Sequence, residues 1–233
     1  MSHITEGQIA QLRELDDASG EGLREPFQAW LNMVKSGGLV KAGLTIREIQ
    51  AKRWWDRGVG SRIGFKDFKS YVATIPEIPE HLAADDPTFP YLGLDDPRLG
   101  RCLRASLIGV RHQEFGYDDG TLVPFDERHA TPTSPYWFRA TDGRPNRNRR
   151  PSDCRKECVG EILAGTADVG LALCLHYPSA VVQGEHIWDL PGSVRRGGRG
   201  YCAYLGVWGD SPELYADGGG VANPVYGSVR FRR

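Results

Sequence analysis

The spacing of apolar residues predicts helices in the first third of the chain. A capping-box pattern, Thr5 followed by Gln8, opens the first of them, which runs to about residue 15. Two further helices are predicted at 22–35 and 45–55, and a weaker candidate at 61–72 could also form a short strand. These elements make residues 1–75 a helical region.

Prolines and alternating patterns dominate the remainder. Five prolines fall between residues 76 and 97, so this stretch is interpreted as a connector. Alternation then predicts strands at 105–117 and 136–140. A well-formed helix is predicted within 161–177, with Thr166 as its N-cap. The end of the chain is interpreted as turns between short strands, notably at 201–208 and 228–231.

Together these patterns predict an α+β fold. Its expected form is an N-terminal helical region followed by a small mixed or antiparallel sheet with one well-formed helix. The predicted organisation is a helical region at 1–75, a proline-rich connector at 76–97 and an α+β region at 98–233.

Composition adds a cellular context. The 233 residues are 40% hydrophobic and 25% charged, which is typical of a globular protein. The longest apolar stretch is too short to span a bilayer, and the N-terminus lacks the pattern of a signal peptide. The cysteine count is odd, at five, which favours reduced thiols. We therefore predict a soluble, cytoplasmic protein without a membrane partner.

Basic residues are concentrated late in the chain. Residues 144–233 carry 12 Lys and Arg against 9 Asp and Glu, although the whole chain has a formal net charge of −1. Guanidinium groups bind phosphate well because they donate bidentate, permanently charged hydrogen bonds. The predicted anion-binding residues are Arg144, Arg147, Arg149, Arg150, Arg195, Arg196 and Arg199, and the predicted base-stacking residues are Trp137, Trp188 and Trp208. The alternative is that the arginines pair with local acids while the aromatic residues form the core.

A catalytic interpretation centres on a short segment near residue 190. His186, Asp189 and Ser193 are the residue types of a hydrolytic triad. The segment lacks a G-x-S-x-G elbow, so the alternative is that Asp189 and Ser193 stabilise a turn around Pro191. Cys154, Cys158 and Cys202 are weak zinc-ligand candidates, because their spacing is not that of a zinc knuckle. No cofactor is predicted.

Several late motifs carry a resemblance. They are YWFRATDGRPNRNRRPSDCRKEC, TADVGLALCLHYPSAV, WDLPGS, YLGVW and NPVYGSV, which together cover roughly residues 136–229. This part of the chain resembles a family of uncharacterised proteins from uncultured bacteria. The resemblance implies a bacterial, intracellular origin and brings no activity or catalytic residue with it.

Three functional hypotheses follow. The leading hypothesis is a non-catalytic module whose arginine-rich C-terminal surface binds nucleic acid or another polyanion. The second is a small hydrolase or metal-assisted enzyme that uses His186 and Asp189. The third is a structural or protein-interaction protein. The sequence makes no prediction of an oligomeric state.

Overall fold

The computed structural model describes residues 44–112, 120–181, 185–209 and 211–233. The chain divides into two compact units, Met1–Thr45 and Ile46–Arg233. Almost all of the described residues belong to the second unit. The helices predicted at 5–15 and 22–35 lie outside the described residues.

Most helices of the second unit are short. They are α1 (Ile46–Asp56), α2 (Val59–Arg62), α3 (Phe68–Val72), α4 (Glu80–Ala83), α5 (Arg101–Leu107), α6 (Pro151–Lys156) and α7 (Ala167–His176), with 3-10 turns at Glu127–His129, Arg144–Asn146 and Pro178–Ala180. Among the described residues, none of these helices is long and apolar enough to cross a membrane.

The strands of the described residues form two sheets. The strands are β1 (Tyr91–Asp95), β2 (Arg111–His112), β3 (Leu122–Pro124), β4 (Tyr136–Ala140), β5 (Leu163–Ala164), β6 (Ile187–Arg195), β7 (Gly198–Trp208), β8 (Ser211–Gly218), β9 (Tyr226–Ser228) and β10 (Arg230–Arg232). A four-stranded sheet has the order β1-β4-β10-β5. A six-stranded sheet has the order β2-β8-β7-β6-β3, with β9 also paired to β6.

Helix α1 closes one edge of the four-stranded sheet. The Gln50 side chain donates to the carbonyl of Leu92 at 2.6 Å and accepts from the amide of Leu94 at 2.6 Å. The Trp54 indole, fully buried, donates to the carbonyl of Leu94 at 2.9 Å. Because an edge strand exposes unpaired backbone groups, these side chains satisfy β1 where no further strand follows. The helix predicted at 45–55 is confirmed.

Helix α7 is the buried centre of the unit. The Thr166 hydroxyl accepts a hydrogen bond from the Val169 amide at 3.3 Å, so Thr166 is its N-cap as predicted. Nearly every residue of α7 is buried, which is expected because all of its residues except Asp168 and His176 are apolar or glycine. The predicted late helix is confirmed, and so is the strand predicted at 136–140.

The predicted fold class is wrong. The described chain is mostly sheet, built from two sheets with few and mainly short helices, rather than a helical region followed by a small sheet. The error lies mainly in β6 and β8, which are 9 and 8 residues long and were not predicted as strands, whereas the strand predicted at 201–208 is confirmed as part of the 11-residue β7. Glycine and proline in these segments indicated turns, but a bulge in β6 accommodates Pro191 and Gly192.

The strand predicted at 105–117 forms only at 111–112, where β2 lies, and residues 113–117 lie outside the described residues. Residues 101–107 form α5, which ends before Gly109, a glycine with a left-handed φ of +79°. Arg104 is buried beside Ala105 in this helix, so a charged residue occupies an inward position. Tertiary ion pairing, which a local pattern does not contain, decides the element here.

Gly192 packs where a side chain has no room. A Cβ atom at this position would lie 2.3 Å from the carbonyl oxygen of Ala164 and 2.6 Å from the His129 ring. We expect Gly192→Ala to lower the free energy of unfolding by about 1–3 kcal/mol, because backbone would have to move. Urea unfolding checks this, with Gly200→Ala as the control, since a Cβ there meets nothing within 4 Å. Equal stability of the two variants would contradict it.

Candidate functional site

The six-stranded sheet presents different chemistry on its two faces. Residues paired across adjacent strands share a face, and alternate residues along a strand share a face. On one face Trp188, Ala203 and Leu205 belong to the hydrophobic core. The register pairs Asp189 with Tyr204, and therefore places both on the opposite face. The polar face is where a site can form.

A small cavity opens on this polar face. Its volume is about 80 Å³, and its lining residues, here named the Asp189 cup, are Asp189, Cys202, Tyr204, Asp217, Gly218, Val221, Asn223 and Tyr226. Cys202 pairs with Asp217 across β7 and β8, which brings the second carboxyl group to the same face as Asp189. Strands β6, β7, β8 and β9 each contribute, so the cup exists only in the assembled sheet.

Asp189 lies at the bottom of the cup. It is 4% exposed, and its carboxyl group has no hydrogen-bond partner in the part of the chain that the structure describes. Burial, reinforced by the negative charge of Asp217, raises the pKa of Asp189 to about 7. A buried carboxyl without a partner is costly, and such groups concentrate at functional sites.

The other residues of the cup range from buried at its floor to exposed at its mouth. Cys202 and Tyr204 are 2% and 8% exposed, whereas Val221 is 70% exposed and Asp217 is also exposed at the mouth. The Tyr204 ring packs edge-on against that of Tyr226, with centroids 5.6 Å apart. The cup therefore has a closed polar floor, an aromatic wall and an open mouth.

The negative charges of Asp189 and Asp217 also affect the pKa values of two other cup residues, Cys202 and Tyr226. Burial raises the pKa of the Cys202 thiol, and the charges of Asp189 and Asp217 act in the same direction. Burial also raises the pKa of Tyr226, again with both carboxylates contributing. At neutral pH the thiol and the phenol are therefore uncharged. Asp189, with a pKa near neutrality, is the cup residue that could accept or donate a proton there.

The predicted triad does not assemble. His186 donates through Nε2 to the carbonyl of Asp142 at 2.6 Å, and its Nδ1 accepts from Arg147 at 3.2 Å. The Ser193 hydroxyl accepts from the Ala167 amide at 2.9 Å, at the start of α7. Both side chains are buried and occupied by structural contacts, so of the three predicted catalytic residues Asp189 alone lines the cup.

The predicted anion-binding arginines are divided among different contacts. Arg144 pairs with Asp142, and Arg149 pairs with Glu157, which also binds Arg230. Arg147 donates to the carbonyl of Glu185 as well as to His186. The side chains of Arg150, Arg195 and Arg196 are exposed, and that of Arg199 lies outside the described residues. Ion pairing thus neutralises part of the set, and anion binding stays a prediction.

The predicted stacking and metal residues have structural surroundings. Trp137 and Trp188 are buried in the core, where no ring face is open to a base, and Trp208 packs edge-on against Tyr204. The five cysteines form no disulfide. The Cys158 thiol donates to the carbonyl of Cys154. Within the described ranges, no group of three or more His, Cys, Asp or Glu side chains could hold a metal ion.

A larger cavity adjoins a buried ion cluster. Its volume is about 360 Å³, and its lining includes Arg98, Arg101, Arg104 and Asp168. Arg101 and Arg104 both pair with Asp168, and Arg104 also pairs with Asp95. Each guanidinium therefore faces a carboxylate of this chain. The cluster fixes α5 to β1 and α7, and we assign it to the fold rather than to a ligand.

Sequence reasoning found Asp189 but missed its companions. Tyr204, Asp217 and Tyr226 gave no signal because residues 201–228 were interpreted as turns and short strands. The alternation of Cys202 and Tyr204 with Ala203 and Leu205 in β7 was the available clue.

The chain matches no protein-family model, no curated protein and no solved structure. The resemblance of residues 136–229 to proteins from uncultured bacteria therefore stays a prediction, and the site is defined by its geometry alone.

Proposed function

We propose that this chain binds a small polar ligand in the Asp189 cup. The observation that carries the proposal is the Asp189 carboxyl group, 4% exposed and without a hydrogen-bond partner among the described residues, at the floor of a cavity. The carboxyl group opens into the cup, where a ligand or water can supply the hydrogen bond that the described chain does not.

The surroundings of Asp189 support a ligand rather than a structural role. In a structural role the carboxyl would cap a turn or pair with a basic side chain, as Asp168 does with Arg101. The Asp189 backbone carbonyl does accept from the Val229 amide, which fixes the strand, but the side chain takes no part in that contact. The carboxyl is therefore held rigidly and left available.

The size of the cup limits the ligand. Sites that enclose a whole drug-sized molecule have volumes of roughly 300–1,000 Å³. At about 80 Å³, the cup admits a head group of a few heavy atoms, with the remainder of a longer ligand outside the mouth. The ligand's head group must supply at least one hydrogen-bond donor to Asp189.

A fragment screen tests this function. Ligand-observed NMR with a library of fragments that carry hydroxyl, amide or amine donors is expected to give hits that Asp189→Asn loses. Asn is nearly the same size as Asp, so the substitution keeps the shape of the cup while removing the carboxylate.

The matched control is Asp153→Asn, which changes a half-exposed carboxyl paired with Lys156 on α6. It is expected to retain every hit of the wild-type protein. If Asp189→Asn and the wild-type protein bind the same fragments with the same affinities, the cup is not the binding site and the proposal is wrong.

A further inference from the structure

The charge of the Asp189 cup identifies a ligand class. We infer that the cup binds an alkylammonium group, with the nitrogen on Asp189 and the alkyl chain leaving past Val221. This inference rests on the proposed function, since it names the ligand of the same cup.

The first argument is the sign of the charge. Two carboxyl groups, Asp189 and Asp217, line the cup, and its lining residues in the described part of the chain include no Lys, Arg or His. Arg155 acts on the pKa of Cys202, but its guanidinium donates to the Pro191 carbonyl and lies 3.7 Å over the Phe125 ring. An anionic head group would meet two carboxylates without a counter-charge.

The second argument is hydrogen-bonding capacity. The Asp189 carboxylate offers only acceptors, and a charge-assisted N–H⁺ donor forms a bond roughly twice as strong as a neutral donor does. An ammonium group has three donors, so it can bind Asp189 and still reach a second oxygen. The phenol of Tyr226 lines the same cup, close enough for the Asp189 charge to affect its pKa.

The third argument concerns the mouth. Val221 is apolar and 70% exposed, directly at the rim of a polar cavity. An exposed valine is unremarkable alone, but here it lies where the carbon chain of an amine would emerge. The cup thus matches an amphipathic ligand: charged at the buried end and apolar next to it.

The fourth argument is linkage to protons. A cation stabilises the ionised form of Asp189, so binding lowers the pKa of this group and releases a proton near pH 7. Among the described residues, the other charged or titratable groups of the cup are Asp217, Cys202, Tyr204 and Tyr226, and Arg155 acts on Cys202. The Cys202 thiol and Tyr226 phenol, whose pKa values are raised, stay neutral over pH 5–8. Affinity for a cation should therefore rise with pH across this range.

Paired ligands of equal shape test the inference. Butylammonium and its neutral counterpart butanol would be titrated into the full-length wild-type protein, in amine-free buffer, by NMR at pH 8 and pH 5. At pH 8 we expect butylammonium to bind at least about tenfold more tightly than butanol, and to lose at least about tenfold in affinity at pH 5. Asp189→Asn is expected to abolish the preference for the charged ligand, whereas Asp153→Asn keeps it.

The outcomes separate the two proposals. If butanol binds as tightly as butylammonium in an Asp189-dependent manner, the cup is a ligand site but the inferred cation is wrong. If neither ligand binds and the fragment screen yields no Asp189-dependent hit, the proposed function fails as well. Nα-acetyl-lysine methylamide, run beside butylammonium, shows whether a lysine side chain of a peptide binds as well as a free amine does.

Discussion

Replacing Arg104 by Met is expected to lower the free energy of unfolding by about 3–5 kcal/mol at pH 8. Arg104 is 2% exposed and binds the carboxylates of Asp95 and Asp168, which are themselves 0% and 2% exposed. Removing the guanidinium leaves two buried negative charges with less compensation. The methionine side chain fills part of the space beside Trp54 but supplies no charge.

The free energy of unfolding that Arg104→Met loses should become smaller as the pH falls. Burial raises the pKa of Asp95 to about 7, even though Arg104 acts to lower it. Burial also acts to raise the pKa of Asp168, but the charges of Arg101 and Arg104 outweigh it and hold this pKa well below its usual range. Without Arg104 both carboxyl groups take up protons more readily, so the variant regains stability in acid relative to the wild-type protein.

Urea unfolding at pH 8 and pH 5 measures both effects. The control is Arg149→Met, which removes an arginine whose ion pair with Glu157 is 38% and 46% exposed. An exposed pair contributes about 0–1 kcal/mol, so this variant should stay close to the wild-type protein. If Arg104→Met costs no more than Arg149→Met, the buried cluster does not stabilise the fold.

Arg104 also illustrates how far the sequence could predict the fold. Helix α7 and strand β4 were predictable because an N-cap, an apolar run and a short alternating segment are local signals. Arg104 belongs to a seven-residue helix, and its charge is compensated by Asp95, 9 residues away, and by Asp168, 64 residues away. No local pattern contains that compensation, so the sequence analysis did not predict this helix.

The site was predictable to a smaller extent. The sequence pointed to Asp189 as a member of a catalytic triad with His186 and Ser193. In the structure, however, the side chains of His186 and Ser193 bind structural partners on other elements. What makes Asp189 unusual is its register opposite Tyr204 and the approach of Asp217. Register depends on how β6, β7 and β8 pair, and the glycines and prolines of β6 and β8 indicated turns rather than strands.

Asp189→Asn is expected to stabilise the ligand-free protein at pH 8 and to leave its stability nearly unchanged at pH 4. The pKa of Asp189 is raised in the folded state from 3.8 to about 7. The folded protein therefore holds this proton more tightly than the unfolded chain does. Wild-type stability then falls as the pH rises from about 4 to about 7, and levels off above that.

The size of the expected stabilisation by Asp189→Asn follows from the pKa shift of Asp189. Each pKa unit corresponds to about 1.4 kcal/mol, so ionising Asp189 in the cup costs on the order of 4 kcal/mol at pH 8. Asn carries no charge at any pH and avoids this cost. The raised pKa of Asp95 contributes equally to both proteins, so it cancels in their difference.

Thermal or urea unfolding of the two proteins across pH 4–8 gives the measurement. Asp153→Asn is again the control and should show the opposite trend, because its hydrogen bond and ion pair with Lys156 lower the pKa of Asp153. A difference between wild type and Asp189→Asn that does not grow with pH would show that Asp189 ionises freely in the fold. If the stability difference between the two proteins grows with pH, the ionised Asp189 destabilises the fold. A loss of stability of this kind is expected where a buried group serves binding rather than stability.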